Sequence, residues 1–291
     1  MYKTILFFIA VTIFGCQAPV KKDPVPTVAF RTIDYVTVGK MMDSIRPPYV
    51  IDLSNQHKRV VFIGCDHNRD STHPQYGIIQ RYFDDLKPQI AFNEGGQIAD
   101  SVHFLSLNDG VSHDGERGCL KYLSDKGGIK MMDGDVADSV EFSITLRRYP
   151  ADQLLLYYLM ERLVIPYLNG AYGKIPFEVI FDKAIQRWFV NQGFPLTLEQ
   201  RSLVYFKQLY RQYMGTDLVL KLTMDIEKFD YINPNCQFCE IGRSSKMLRD
   251  SILLHKIDQA LDSYDRVMIT FGHGHAIAVE PALKDMVNKK R

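Results

Sequence analysis

Histidines and carboxylates follow four predicted strands at the point where each strand ends, and these residue types carry acid–base and metal chemistry. The endings are Asp66-His67 after strand 58–65, Glu94 after 89–93, Asp133-Gly134-Asp135 after 129–132, and His273-Gly274-His275 after 266–271. In open α/β sheets, ligands bind beyond the carboxyl ends of the strands. Unrelated turn residues would explain the glycines and aspartates, but less readily a His or carboxylate at every ending. The pattern predicts one shared site.

Two of these endings share the pattern GxxH, from Gly64 to His67 and from Gly272 to His275. The glycine lets the backbone turn sharply and approach a ligand closely, and the histidine then projects over the sheet edge. His67, His275 and Glu94 could bind a divalent metal as an N,N,O set. The same three residues could instead activate water without a metal, with one histidine as general base and Glu94 orienting it. The spacing leaves both possibilities open.

Arg249 and several secondary candidates suit the same site by type, although each also has an ordinary structural explanation. Arg249 lies in the second turn of a predicted helix, where it would face a carboxylate or an anionic intermediate, or else solvent. Glu116 begins a predicted helix, where a carboxylate also suits the helix dipole. His73 precedes Pro74 and would cap a helix or close the site. The remaining candidates are Asp66, Asp135, Glu141, Asp250 and His273.

The elements that must position these residues alternate along the chain. Strands are predicted at 58–65, 89–93, 129–132 and 266–271, and helices at 74–86, 115–126, 245–264 and 280–288. The continuous β-branched run at 58–65 is typical of a strand covered on both faces. This order predicts an α/β fold with a mostly parallel, doubly wound central sheet flanked by helices.

The character of the sequence changes between the third and the last predicted strand. Amphipathic helices are predicted at 151–168, 177–190 and 198–213. They indicate an all-helical insertion or cap over the sheet, at about residues 151–214. A short strand is predicted at 217–222 and a loop at 230–242, after which Ser244 or Ser245 would cap the next helix.

The composition is that of an ordinary globular protein. The chain has 291 residues, of which 46% are hydrophobic and 24% are charged, and this length can bury a sizeable core. Because 35 Lys and Arg balance 34 Asp and Glu, no basic field for nucleic acid is present. The motifs GxSxG, GxGxxG, the P-loop and HExxH are absent from the sequence. The expected partner is a small-molecule or peptide substrate.

Residues 1–16 predict export and lipid attachment. Lys3 precedes an apolar run at 4–15, which is shorter than the roughly 20 residues that span a bilayer and matches the h-region of a secretory signal. The run ends in Ile13-Phe14-Gly15-Cys16, which resembles a bacterial lipobox, although Phe14 replaces the usual small residue. We interpret 1–15 as a signal peptide, Cys16 as the acylated residue, 16–30 as a flexible tether and 31–291 as one α/β domain. An ordinary cleaved signal or an uncleaved anchor is the alternative. The predicted location is the bacterial cell envelope, with the membrane bound through lipid.

The remaining cysteines divide into two kinds. Cys65 and Cys119 lie in predicted strand and helix segments and are expected to be buried and unbonded. Cys236 and Cys239 form a lone CxxC, and a zinc site would need a second pair. In an oxidising envelope a local disulfide is the favoured interpretation.

The order of five short motifs resembles a known superfamily. The motifs are FIGCDH, IAFNEGG, GERGCLKYL, MLRDSILLHKI and VMITFGHGHAIAVEPAL. They are similar to the group that unites TraB/GumN proteins, Tiki metalloproteases, erythromycin esterase-like enzymes and the haem-binding lipoprotein ChaN. The resemblance covers residues 58–142 and 243–288 and implies His67, Glu94, Arg249 and His275 as site residues. His273 occupies a variable position of that pattern.

The members of this group differ in their chemistry. Tiki-like members are metal-dependent proteases, esterase-like members are hydrolases in which a histidine activates water, and ChaN binds haem. We therefore expect hydrolysis of an ester or amide, with Arg249 stabilising an oxyanion or docking a substrate carboxylate. The alternatives are a haem- or ligand-binding lipoprotein with tyrosines of the helical segment as ligands, and an inactive paralogue that keeps the pocket. The hydrolase would use either a divalent metal or no cofactor, and the binding protein would use haem.

Overall fold

The computed structural model describes residues 30–290. The predicted signal peptide at 1–15, the acylation site Cys16 and all of the predicted tether except Phe30 lie outside the described residues. Within 30–290, no helix combines the length and the apolar character that crossing a membrane requires.

A five-stranded mixed sheet forms the centre of the fold. Its strands are β1 (Tyr49–Ser54), β2 (Arg59–Cys65), β3 (Ile90–Asn93), β4 (Lys130–Asp133) and β5 (Arg266–Gly272). The spatial order is β1-β2-β5-β3-β4, and only β1 is antiparallel to its neighbour. This confirms the α/β class and the mostly parallel sheet. The register pairs Cys65 with Gly272, and Asn93 with both Thr270 and Asp133, so the carboxyl ends of four strands meet at one edge.

Helices cover both faces of this sheet. The α-helices of residues 30–290 are α1 (Tyr35–Met42), α2 (Pro74–Leu86), α3 (Leu107–Gly127), α4 (Asp138–Thr145), α5 (Ala151–Leu159), α6 (Ile165–Leu168), α7 (Phe177–Ala184), α8 (Leu203–Met214), α9 (Cys239–Ser263) and α10 (His273–Lys289), and α2, α3, α9 and α10 are the ones that cover the sheet. Side chains of α2 and α3 pack with Val61, Ile63 and Met268 on one face. Those of α9 and α10 pack with Phe62 and Ile269 on the other. Burial on both faces explains why β2 and β5 read as continuous apolar runs.

The segment from α5 to α8 contains helices and helical turns and has a core of its own, rich in Phe, Leu and Tyr. The strand predicted at 217–222 is wrong, because this segment has no regular structure and pairs with no strand among the described residues. Val219 and Leu222 are exposed there, while Leu218 packs against the helical core. Leu218 thus anchors a loop to the helical core, and the other apolar residues of this segment do not form a strand.

Three helices begin earlier than the sequence predicts. Helix α3 begins at Leu107 and is kinked inside, α9 begins at Cys239, and α10 begins at His273. Ser244 and Ser245 therefore lie inside α9 and do not cap it, and the second GxxH pattern ends in the first helical turn instead of a loop. The early residues of α3 and α10 include glycines, which weaken the helical signal.

The predictions for the four cysteines among the described residues are confirmed. Cys236 and Cys239 form a disulfide at the start of α9. Cys65 and Cys119 are free and buried.

Candidate active site

His67 and Glu94 face each other across a narrow space above Gly272. Nε2 of His67 lies 3.6 Å from Oε2 of Glu94, and the His67 side chain is 58% exposed to solvent. A Cβ atom on Gly272 would lie 3.0 Å from each of these two atoms. The glycine therefore leaves room for a ligand atom between the imidazole and the carboxylate.

Glu116 orients the imidazole of His67. Nδ1 of His67 donates a hydrogen bond of 2.6 Å to Oε1 of Glu116, so Nε2 is the nitrogen left for the cleft. The kink of α3 at Gly115, where φ is 57°, brings Glu116 to the loop after β2. A Cβ there would lie 2.7 Å from the backbone oxygen of Asn68. The close approach and the positive φ both require glycine.

The two carboxylates also control the protonation of His67. Desolvation favours the neutral imidazole, but Glu94 and Glu116 outweigh it and raise the pKa of His67 to about 9. At neutral pH most molecules therefore carry an imidazolium between two carboxylates. The neutral form, which can accept a proton at Nε2, becomes abundant as the pH approaches 9.

Glu94 follows β3 directly, and both of its oxygens are held. Arg249 donates to Oε1 at 2.5 Å, and the backbone N–H of Gly272 donates to Oε2 at 2.5 Å. Burial opposes ionisation, but Arg249 and the neighbouring histidines hold the pKa of Glu94 well below its usual range. Glu94 is thus a fixed anion, better suited to orient a ligand than to accept a proton.

Arg249, on α9, ties this carboxylate to a second one. Its Nε and Nη2 donate to the two oxygens of Asp135 at 2.7 and 2.6 Å. Burial opposes ionisation of Asp135, yet Arg249 lowers its pKa. Since Nε and Nη2 are engaged with carboxylates, only Nη1 is left for the predicted contact with an oxyanion. The arrangement assigns Arg249 mainly to holding Glu94 in place.

His275 lies behind Glu94 in the first turn of α10. Its Nδ1 donates to Oδ1 of Asp250 at 2.5 Å, and the hydroxyl of Tyr35 donates to Oδ2 at 2.8 Å. Nε2 of His275 is 3.8 Å from Oε1 of Glu94 and, although buried, has no hydrogen-bond partner among residues 30–290. The contacts fix the ring so that Nε2 points toward Glu94.

The other predicted candidates have different surroundings. His73 caps α2 and accepts a hydrogen bond from the backbone N–H of Gln75, so the prediction that it caps a helix is confirmed. Asp66 is exposed at the cleft. His273 is buried beside Tyr49, and burial together with Arg46 lowers its pKa. Glu141 accepts hydrogen bonds from three side chains away from His67, namely Tyr158, Arg162 and Ser245.

Three residues near the site have no counterpart among the predicted candidates. Tyr35, at the start of α1, donates a hydrogen bond to Asp250. No functional motif in the sequence contains this tyrosine. Lys246 precedes Arg249 by one turn of α9 and donates to Glu161 at 3.0 Å. Glu161 and Lys246 both line the cleft that contains His275. The one-turn spacing of Lys246 and Arg249 is the only signal in the sequence that could have found any of these residues.

The donor types at this edge fit a divalent cation in part. Both imidazoles present Nε2 toward one carboxylate, and a carboxylate holds each Nδ1, as is usual for metal-ligating histidines. Glu94, however, is already neutralised by Arg249. Within residues 30–290, no group of three or more His, Cys, Asp or Glu has the arrangement of a metal site. A metal at His67, Glu94 and His275 would have to compete with the guanidinium.

Haem fits the described residues less well. The clefts around the site are lined mainly by charged and polar side chains, whereas a porphyrin needs an apolar slot. Of the tyrosines in the helical segment, Tyr157 and Tyr158 are fully buried. Burial raises the pKa of both phenols, which disfavours the phenolate that would bind iron.

Comparison of the chain with protein-family models, with curated proteins and with solved structures finds no match. The resemblance to the TraB/GumN and Tiki superfamily therefore stays a prediction from the motifs. The functional interpretation rests on the geometry of the side chains. The four residues that the resemblance implies lie in one cluster, in which His67, Arg249 and His275 surround Glu94.

Proposed function

We propose that the protein is a hydrolase of ester or amide bonds in which His67 and Glu94 activate a water molecule. One observation carries the proposal: Nε2 of His67 and Oε2 of Glu94 converge at 3.6 Å above Gly272. A carboxylate holds the opposite nitrogen of the imidazole, which is the arrangement of a general base in hydrolytic sites.

In the proposed reaction, Glu94 accepts a hydrogen bond from a water that sits above Gly272. Neutral His67 removes a proton from this water as its oxygen forms a bond to the substrate carbonyl carbon. The resulting imidazolium is stabilised by Glu116 and then gives the proton to the leaving alkoxide or amine as the carbon–oxygen or carbon–nitrogen bond breaks. The products are a carboxylic acid and an alcohol or amine.

The residues behind Glu94 act by position. Arg249, itself held by Asp135, fixes Oε1 of the carboxylate, and the contacts from Tyr35 through Asp250 to His275 fix the ring that faces the same oxygen. Because catalytic groups must be held within fractions of an ångström, this support matters for rate. We assign Arg249 and His275 to this positioning in the metal-free reaction.

The helical segment at 151–214 would act as a cap over this edge. Trp188 and Tyr172 from that segment line a cleft together with Asp135 and Arg249. The proposal for the location is the one that the N-terminal sequence indicates, a lipid anchor at Cys16 in the bacterial cell envelope.

The test is hydrolysis of a panel of chromogenic acyl esters and quenched peptides by the wild type, His67→Gln and His57→Gln. His57 is an exposed histidine away from the site and serves as the matched control. We expect His67→Gln to lower kcat/KM by about 10²- to 10⁴-fold, the usual contribution of a general base, while His57→Gln matches the wild type. Equal rates for all three proteins, or no hydrolysis of any substrate, would contradict the proposal.

The unpartnered Nε2 of His275 favours a second candidate, a metal-dependent form of the same hydrolase. His67, Glu94 and His275 would hold the metal, which would polarise the carbonyl and lower the pKa of bound water. In that case the purified protein contains about one divalent metal per chain, and His275→Gln loses it while His57→Gln keeps it. Equal metal content in His275→Gln and the wild type, measured by mass spectrometry of the elements, counts against this candidate.

A further inference from the structure

Two clefts meet at the proposed catalytic pair. The first, called here the α3-side cleft, has a volume of about 310 Å³ and is lined by the loop after β2 and the kink of α3. The second, the α10-side cleft, has a volume of about 440 Å³ and is lined by α1, the start of α10 and Tyr231. His67 and Glu94 line both clefts.

The two clefts belong to opposite faces of the sheet. Helix α3 packs on the face formed by Val61 and Ile63, whereas α10 packs on the face formed by Phe62 and Ile269. A ligand that occupies both clefts must therefore pass over the carboxyl edge of the strands. Its middle would then lie at the space above Gly272.

From this geometry we infer that the substrate is an extended chain, and that the bond cleaved lies in its interior. The inference rests on the proposed function, because it takes His67 and Glu94 as the place of hydrolysis. A site for small molecules or for chain ends would be closed on one side of the reacting bond. Here space is open on both sides.

The charges of the α3-side cleft define the chemistry of one half of this chain. Its other charged side chains are paired: Asp114 with Arg117, Glu116 with His67, and Glu94 with Arg249. Arg69 also lines the cleft and makes no hydrogen bond or ion pair with any residue from 30 to 290. A free guanidinium next to the site selects a carboxylate. The α10-side cleft has Asp43 and Asp66 as well as Arg46 at its rim and gives no such preference.

The α3-side cleft also favours a peptide over a polysaccharide. Its lining contains no aromatic ring on which a sugar could stack among the described residues. Charged and polar side chains and glycines line it instead, and Arg69 among them can take the side-chain carboxylate of a peptide. The substrate class is therefore an acidic peptide segment, bound across the sheet edge and cut internally.

The experiment uses oligopeptides blocked at both ends, with glutamates on one side of the central bond, and the same peptides with glutamines. Products are identified by mass spectrometry. We expect internal cleavage, and cleavage of the glutamate peptides faster by on the order of tenfold, as one charge-assisted contact provides. Removal of single terminal residues only, or equal rates for both peptides, would overturn the inference.

Two variants distinguish a specific contact of the Arg69 guanidinium from an effect of the overall positive charge. Arg69→Ala should abolish the preference for glutamate, and Arg81→Ala, a change at an exposed arginine of α2, should keep it. A preference that survives in Arg69→Ala overturns the role of Arg69. If the enzyme hydrolyses small chromogenic esters but no end-blocked peptide, this inference fails and the proposed function stands. If it hydrolyses nothing, both fail.

Discussion

The side chains at the carboxyl edge of the sheet are placed where strand endings in the sequence predict them. His67, Glu94 and His275 come from three separate strand ends, and Nε2 of each imidazole lies near the Glu94 carboxylate, at 3.6 Å for His67 and 3.8 Å for His275. Their positions are predictable because parallel strands bring their carboxyl ends to one edge. Their roles are not, because roles depend on partners far apart in the chain. Nε and Nη2 of Arg249 donate to Glu94 and Asp135, so only Nη1 of its guanidinium is left for a substrate.

Sequence motifs do not identify the hydrogen-bond partners that come from other helices. Tyr35 reaches Asp250 over a separation of 215 residues, and no local pattern indicates such a contact. In the sequence Glu116 is only a secondary candidate, because a carboxylate at a helix start has an ordinary explanation. Its bond to His67 depends on a kink that the sequence marks with a single glycine.

Gly272→Ala tests whether the space between His67 and Glu94 is where the reaction occurs. The backbone at Gly272 has φ of −56° and ψ of 145°, which alanine adopts without strain, so the fold should be unaffected. The new Cβ would lie 3.0 Å from Nε2 of His67 and from Oε2 of Glu94 and displace the water. We expect kcat/KM to fall about a hundredfold with Tm unchanged. Full activity in a folded Gly272→Ala protein would place the reaction elsewhere.

At the scale of elements, the central strands are predictable and the helix boundaries are not. The strands β2, β3, β4 and β5 match their predicted ranges within a residue or so, and for β2, β3 and β5 the reason is that buried parallel strands are continuous apolar runs. Strand β1 has alternating burial and lies at an edge, so its signal is weaker. Gly272 before α10 and Gly274 in its first turn weaken the signal of a helix that buries the second GxxH pattern.

Gly115→Ala tests the kink of α3 that brings Glu116 to His67. Alanine at φ 57° is strained, and its Cβ would meet the backbone oxygen of Asn68 at 2.7 Å. We expect the free energy of unfolding to fall by about 2 kcal/mol or more, measured by denaturant unfolding. Gly77→Ala in α2 is the matched control, because nothing lies within 4 Å of its Cβ, and it should be neutral or slightly stabilising. Equal stability of the two variants would show that the kink is not held by this glycine.

At the scale of the whole molecule, the arrangement of the sheet could not be predicted from the order of elements alone. Strand β5, the last along the chain, lies between β2 and β3, so the end of the chain completes a site begun by its first half. This insertion places α9 and α10 against the same face and brings Arg249 and His275 to Glu94. The two clefts that meet there lie on opposite faces and are visible only in three dimensions.

The central claim is that neutral His67 removes the proton from water. Below a pKa of about 9 the imidazole is mostly protonated and cannot accept a proton, so fewer molecules are active as the pH falls. The value of kcat/KM reports the ionisation of groups in the free enzyme. It should therefore rise about tenfold per pH unit up to about pH 9 and then level off.

The most direct measurement is this pH profile of kcat/KM for the wild type beside Glu116→Gln. Removing one of the two carboxylates that raise the pKa of His67 should move the rise to lower pH. We predict a profile that levels off near pH 9 in the wild type and at a lower pH in Glu116→Gln. Activity that falls as the pH rises toward 9, or profiles that coincide in the two proteins, would contradict the assignment of His67 as the base.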